Sequence, residues 1–287
     1  MNHRVTAACV QFCAGPDKTE NIARMAPLVA EAASRGAKLV LLPEKWNAVA
    51  DGPELLRYAE RLDEGETIDA LSEWAAEHRI HLICGSIAID HGERAGNVSI
   101  AFDRDGDVVA AYTKIHLFDV EVGGLTYRES DGTAPGSEPV VVVLDGLPVG
   151  LTVCYDLRFP ELYRALEEKG ALVMCVPANF TLLTGLAHWE PLLRARAIEN
   201  QAFVLAAGQH GNPGGGNKPS YGHSMIIDPW GTVISQASEG DGVIVADLDL
   251  DLQAGIRARL PALQHRRLQS VPEMQGGGPV DSGSFPV

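Results

Sequence analysis

The sequence predicts one α/β domain in which mixed β-sheets are covered by helices. Three observations carry that expectation. Strand-like and helix-like segments alternate along the chain. Asp-Gly pairs at 105–106 and 145–146 insert antiparallel hairpins into the alternation. No short repeat and no composition break marks a linker. Alternation with inserted hairpins is the pattern of mixed sheets flanked by helices. The 287 residues are 46% apolar and 21% charged, an ordinary globular composition, and a chain this long buries roughly three quarters of its unfolded surface.

The elements follow in order. Val5–Phe12 is rich in β-formers and opens the domain as a strand. Asp17 and Glu20 stand at capping-box spacing before a helix over Asn21–Arg35. In it Ile22, Met25, Ala26, Val29, Ala32 and Ala33 keep the helical period, and Gly36 marks the exit. Pro27 does not suit a helix interior, so a kink or a later start is expected. Lys38–Pro43 (KLVLLP) is a short apolar strand, and His81–Ala88 is another. Between them Thr67–Arg79 is an amphipathic helix with Ile68, Leu71, Trp74 and Ala75 on one side. Asn97–Asp103 pairs with Val108–Lys114, and Val140–Leu144 with Val149–Cys154, each across an Asp-Gly turn. Helices are expected over Glu161–Lys169, closed by Gly170, and over His188–Gln201. Strands are expected over Ala171–Pro177, Phe203–Gln209, Ser224–Asp228, Thr232–Gln236 and Gly242–Leu248. His210–Ser220 reads as a flexible loop, Pro229-Trp230-Gly231 as a turn, and Asp251–Leu260 as the last helix. From about Ser270 the chain is rich in Gly, Pro and Ser and is expected to be poorly ordered. The chain thus divides into a domain over residues 1–269 and a tail over 270–287.

Charge and cysteine usage narrow the function classes. The formal net charge is −15, which argues against a nucleic-acid or anionic-membrane partner, since either needs a basic surface. An anionic substrate would have to be attracted locally against the global field. The first residues (MNHRVTAACVQFCAG) are too short an apolar run for a signal sequence, and no run of about 18 apolar residues suggests a membrane helix. Cys9, Cys13, Cys84, Cys154 and Cys175 are odd in number and lack CxxC spacing, so a reducing cytoplasm fits better than a disulfide framework. Cys9 and Cys13 share strand parity and read as buried small hydrophobes on one face.

Three polar residues stand at the ends of otherwise apolar strands: Glu44 after KLVLLP, Lys114 after VVAAYT, and Cys154 after VGLTV. Loops past strand C-termini are where open α/β sheets place their sites. A thiol is a weak nucleophile until ionised; an ammonium favours the thiolate, and a carboxylate can take the proton and return it. Taken singly, each residue also suits a surface carboxylate, a solvated lysine or a buried structural cysteine. The surrounding strings decide. LLPEKWN, YTKIHLFDVEV and GLTVCYDLRFPELYR resemble the three motifs of the nitrilase superfamily of carbon–nitrogen hydrolases, in order. The resemblance continues through YRESDGTAPGSEPV, VPANFTLLTGLAHWEPLLRARAIENQAFVLAAGQ, SYGHSMIIDPWGTV and RLPALQHRR, spanning roughly Val5 to Arg267. Within the superfamily it is closest to the deaminated glutathione amidase branch, with ω-amidase next.

What the resemblance implies is specific. The fold would be a four-layer αββα sandwich of two mixed sheets with outer helices. Cys154 would be the nucleophile, Glu44 the general base and acid, Lys114 the cationic partner, and Glu129 in YRES a second glutamate beside the lysine. The reaction would cleave a carboxamide C–N bond through a cysteine thioester and release ammonia, with no metal and no cofactor. Tyr155 would offer a backbone N–H to the oxyanion, while Arg158, Phe180 and Thr184 would line a pocket for a carboxylate-bearing acyl group; Arg158 alternatively pairs with Glu161 or Asp156. Two local departures, Ala178-Asn179 before Phe180 and Gly123-Gly124 before Glu129, border that pocket. Members of the family usually form homodimers or larger homo-oligomers, with the AHWE…RARAIENQ helix and the C-terminal segment as interface pieces. Rival readings are an ω-amidase acting on α-ketoglutaramate-like substrates, an N-carbamoyl or aliphatic amidase, a Cys–His hydrolase using His116 or His188, and a catalytically silent scaffold.

Overall fold

Strand β1 (Arg4–Gln11) shows why this chain builds two sheets and not one. Successive side chains of a strand point to opposite faces, and here both faces are buried. Ala7 and Cys9 enter one core, shared with Leu39, Leu41, Val149, Val173 and Leu205. Ala8 and Val10 enter a second core, shared with Val40, Leu42, Met25, Val29, Leu71 and Trp74. The first core lies between the two sheets and continues to the helices outside the second sheet; the second core lies between the first sheet and its helices.

The computed structural model describes residues 3–50 and 52–268. After β1 come α1 (Lys18–Ser34), β2 (Leu39–Leu41), α2 (Glu66–His78), β3 (His81–Ile83), β4 (Ile87–Asp90), β5 (Ala95–Phe102) and β6 (Val108–Thr113). A small hairpin, β7 (Asp119–Val122) with β8 (Leu125–Arg128), leads to β9 (Thr133–Ala134), then β10 (Val140–Leu144) and β11 (Leu147–Leu151). The second half holds α3 (Pro160–Glu168), β12 (Val173–Ala178), α4 (Leu182–Asn200), β13 (Phe203–Gly208), β14 (His210–Gly211) and β15 (Ser220–Tyr221). It closes with β16 (Met225–Ile227), β17 (Val233–Gln236), β18 (Gly242–Asp249) and α5 (Leu250–Arg259). The first sheet has the order β18-β1-β2-β3-β5-β4, with β6 and β9 also paired to β5; the second has the order β10-β11-β12-β13-β16-β17. Both are mixed: β1 is parallel to β2 and antiparallel to β18, while β12 is parallel to β11 and β13, and β13 is antiparallel to β16. Helices α1 and α2 cover the first sheet, and α3 and α4 pack Leu162, Tyr163, Leu166, Trp189 and Leu193 on the second. The result is the αββα sandwich.

Several boundaries differ from the sequence reading, each for a local reason. Asp17 accepts a hydrogen bond from the Glu20 N–H at 2.8 Å, so α1 starts at Lys18, earlier and not later, and runs on through Pro27. The carbonyl four residues back belongs to Ala23, and both residues are exposed, so the lost hydrogen bond faces water. The strand expected over His81–Ala88 breaks in two at Gly85, whose φ is +71° and whose missing Cβ would sit 2.0 Å from the Pro43 carbonyl. Helix α4 starts at Leu182, not His188; Gly185, a breaker by composition, is where the Tyr221 ring packs against the helix. Asp145 (φ 49°) and Gly146 (φ 83°) form the tight turn, so β11 begins at Leu147 and ends three residues before Cys154. The 210–220 segment, expected to be a free loop, is anchored by pairing of His210 with Tyr221 and Gly211 with Ser220. The β7–β8 hairpin was not expected; Gly123 (φ 62°) and Gly124 (φ 75°) make its turn. Cys9 is fully buried as expected, but Cys13, past the end of β1, is half-buried. The Gly/Pro/Ser-rich stretch from residue 270 lies outside the described residues.

Candidate active site

Glu44, Lys114 and Cys154 follow the C-terminal ends of β2, β6 and β11, so two come from the first sheet and one from the second. All three converge at one end of the sandwich, as strand-end residues in open sheets do. Glu44 is held from its own backbone: Gln209 Nε2 donates to the Glu44 and Lys45 carbonyls at 2.9 and 3.1 Å. That bond fixes a turn in which Lys45 takes a φ of 52°.

The Glu44 carboxylate is 3% exposed and fully engaged. Oε1 accepts from Lys114 Nζ at 3.0 Å and from Asn97 Nδ2 at 2.9 Å; Oε2 accepts from the Asn179 N–H at 2.7 Å. Glu129 completes the group from the far side of Lys114. Its Oε2 accepts from Lys114 Nζ and from the Phe118 N–H, each at 2.8 Å, and its Oε1 accepts from Asn97 Nδ2 at 2.9 Å. Lys45 Nζ adds an ion pair to Glu129 at 3.5 Å. Asn97 therefore donates one N–H to each carboxylate and spaces them apart.

The electrostatics assign protonation states. Burial alone would neutralise Lys114, but Glu129 and Glu44 outweigh it and raise its pKa well above the ordinary lysine value, so it stays an ammonium. Burial would likewise raise Glu129, but Lys114 and Lys45 hold it well below the ordinary carboxylate range. Cys154 moves the other way. Burial and the nearby Glu44 carboxylate push its thiol pKa well up, and Lys114 only partly offsets them. The resting sulfur is a thiol, with Glu44 within hydrogen-bonding reach to take its proton.

Cys154 sits on a strained turn. Its φ of +50° is left-handed, which a non-glycine residue adopts at a cost of about 1–3 kcal/mol unless the surroundings enforce it. A short 3₁₀ turn over Cys154–Arg158 follows, and the first N–H groups of such a turn point outward without an internal partner. A cavity of about 350 Å³ opens over the thiol. Glu44, Lys114, Glu129 and Cys154 form its floor, and Lys45, Arg128 and Lys218 bring positive charge to its walls against the one carboxylate of Glu54.

Of the four residues expected to contact substrate, Tyr155 directly follows Cys154 in the 3₁₀ turn. Arg158, Phe180 and Thr184 are not among the residues that line this cavity. Arg158 Nη1 donates to His188 Nδ1 at 3.3 Å, not to Glu161 or Asp156, and its guanidinium lies 5.2 Å from the Phe180 ring centre and 5.9 Å from that of Tyr155. Stacking on those rings and pairing with His188 turn it away. The Tyr155 ring packs edge-on against Phe118 and Phe159, and the Thr184 hydroxyl pairs with Thr181 at 2.7 Å. His116 pairs with Asp156 and His188 with Arg158, so neither is directed at Cys154 as a Cys–His reading requires. Sequence reasoning missed Asn97, Gln209 and Lys45, and named Asn179 only as a departure bordering the pocket. Only Asn97 left a signal, as a polar interruption of the buried strand AGNVSIAF.

Comparisons with known proteins identify the family and the fold. Residues 6–258 match the carbon–nitrogen hydrolase family. A deaminated glutathione amidase from Mus musculus is 43% identical over 272 residues, covering 92% of this chain and 83% of the relative. An ω-amidase from Xenopus tropicalis is 40% identical over 270 residues, covering 92% of this chain and 96% of the relative. Among solved structures, Saccharomyces cerevisiae Nit3, a member of branch 10 of the nitrilase superfamily, superposes with a TM-score of 0.84 at 31% identity, over 92% of this chain and 97% of that one.

Proposed function

The chain belongs to the carbon–nitrogen hydrolase family and is an amidase, and on that premise we propose how its own residues carry the reaction. Glu44 takes the Cys154 proton as the sulfur attacks the carboxamide carbon. The tetrahedral oxyanion forms between Lys114 Nζ and the Tyr155 N–H; one such donor is typically worth about 3–4 kcal/mol of barrier. Glu44 passes the proton to the departing amine, which leaves a thioester on Cys154. Glu44 then activates the water that hydrolyses it. Glu129 keeps Lys114 charged and in place. The observation that carries this reading is the Glu44 carboxylate, bonded at once to Lys114 and Asn179 and within reach of the Cys154 thiol.

The substrate is a small carboxylate-bearing amide of the deaminated glutathione type. The relatives support this class, and the basic residues Lys45, Arg128 and Lys218 of the cavity wall support an anionic ligand. An α-ketoglutaramate-like substrate, as for an ω-amidase, is the second reading, favoured equally by family relatives. The two differ in the leaving group. A primary amide releases ammonia, whereas a deaminated-glutathione-type amide releases a dipeptide amine. No helix among the described residues is long and apolar enough to cross a membrane. We place the chain in the cytoplasm, supported by five free thiols. We also read it as a homodimer or larger homo-oligomer, supported by exposed Leu183, Leu186 and Ile198 on α4.

The test is amine release, measured for ammonia and for amino-peptide product. The panel contains deaminated glutathione, α-ketoglutaramate, a carbamoyl amino acid and a plain aliphatic amide. Cys154→Ala is expected to abolish turnover while the protein stays folded. Turnover retained in that variant refutes covalent catalysis, and no turnover by the wild type on any amide leaves only the scaffold reading.

A further inference from the structure

Asp156 lies two residues past the nucleophile and is fully buried, yet the mechanism does not use it. A buried carboxylate must have its lone pairs satisfied, and a carboxylate offers about four acceptor positions. Asp156 fills four. Oδ2 accepts from the Tyr112 hydroxyl at 2.7 Å and from the Val153 N–H at 2.9 Å. Oδ1 accepts from His116 twice, from its backbone N–H at 3.1 Å and from Nδ1 at 2.8 Å.

The donors are placed in a telling way. Tyr112 and His116 bracket Lys114, two residues to either side, at the end of β6 in the first sheet. Val153 directly precedes Cys154, at the exit of β11 in the second sheet. The Tyr112 hydroxyl also accepts from the Ile115 N–H at 3.3 Å, so it grips the residue after Lys114 as well. His116 is in turn stacked on Phe159, with ring centres 3.6 Å apart and planes 6° from parallel. On the other side of the carboxylate, the Asp156 N–H returns to the Val153 carbonyl at 3.1 Å. Val153 is thus held at both its N–H and its carbonyl, just where the chain enters the left-handed turn at Cys154.

We propose that Asp156 is a positioning residue: its carboxylate ties the strand end bearing Lys114 to the strained turn bearing Cys154 and so sets the distance between cation and nucleophile across the two sheets. Only a carboxylate suits this place. An amide would turn its NH₂ toward two of the four donors, whichever way it faced. The inference rests on the proposed roles of Cys154 and Lys114.

Two variants test it, each followed by kcat and KM for amide hydrolysis, by melting temperature, and by the rate at which iodoacetamide alkylates Cys154. Tyr112→Phe removes one donor and keeps the packed ring. It is expected to lower kcat by about 10- to 100-fold, the cost of a small misplacement of reacting groups, with KM little changed. Cys154 alkylation should slow with it, while the melting temperature falls by only a few degrees. Asp156→Asn should lose more of each. A folded Tyr112→Phe protein with wild-type kcat and alkylation rate overturns the proposal. So does an Asp156→Asn protein whose only change is a lower melting temperature, which is what a merely structural role would give. If Asp156→Asn does not fold, Tyr112→Phe decides. If the wild type hydrolyses no amide, the functional reading fails, but the alkylation rates of variant and wild type still judge the clamp.

Discussion

At the scale of single residues, the site is organised around charges that cannot leave. Glu129, Lys114 and Glu44 form a row of three side chains, each less than a tenth exposed, and removing one member of a buried pair leaves an uncompensated charge. Glu129→Gln is expected to destabilise the protein by about 3 kcal/mol at neutral pH. The sign of its pH dependence follows from the lowered pKa of Glu129. Its stabilising contribution is complete above the ordinary glutamate value of about 4.3 and drains away as pH falls below it toward the depressed folded value. The melting temperature of the wild type should therefore fall more steeply with acidification in that window than that of Glu129→Gln; parallel curves would contradict the assignment. The legibility of these residues in the sequence was uneven. Glu44, Lys114 and Cys154 stood out because a charge or thiol ends an apolar strand inside a recognisable string. Asn179 and Gln209 did not, because they act through a backbone N–H and a side-chain amide on a residue more than a hundred positions away, and no local pattern records such a partner.

At the scale of elements, the turns that place the site are made by a few backbone conformations. Gly85 is the sharpest case. It breaks β3 from β4, and its α-carbon faces the Pro43 carbonyl one residue before Glu44. Gly85→Ala adds a methyl group where a left-handed φ already costs about 1–3 kcal/mol, and it must also push the Pro43 carbonyl away. We expect the unfolding free energy to fall by at least that amount, read as a lower urea midpoint, together with reduced amide turnover, because Pro43 and Glu44 move as one; an unchanged midpoint would refute the close approach. Elements with short-range signals were legible: the two Asp-Gly hairpins, the Asp17 cap and the apolar stripe of α2 all appear where local chemistry puts them. Pro27 and the start of α4 misled, because the effect of a proline or a glycine on a helix depends on what lies against it. A ring packed on the glycine and water at the orphaned carbonyl are tertiary facts.

At the scale of the whole molecule, strand order was beyond reach of the sequence. Neighbours such as β1 and β18 are separated by more than 200 residues, and either would present the same apolar alternation to another partner. The net charge of −15 now has a definite role. It would repel the proposed anionic substrate at long range, while Lys45, Arg128 and Lys218 of the cavity wall would attract it at short range. Salt screens the exposed, distant charges far more than the buried ones. Raising ionic strength is thus expected to increase kcat/KM for a carboxylate-bearing amide and to leave a neutral amide unaffected; a decrease for the anionic amide would show that surface attraction, not the cavity, captures it. The seam between the sheets carries a last consequence. The residues proposed as acid, cation and nucleophile are split across it, with Glu44, Lys114 and Glu129 on the earlier half of the chain and Cys154 on the later half. A ribosome therefore releases the proton acceptor well before the thiol, and neither is armed until the halves close on each other. A half-made or half-folded chain is therefore expected to lack amidase activity, which needs residues of both sheets in place.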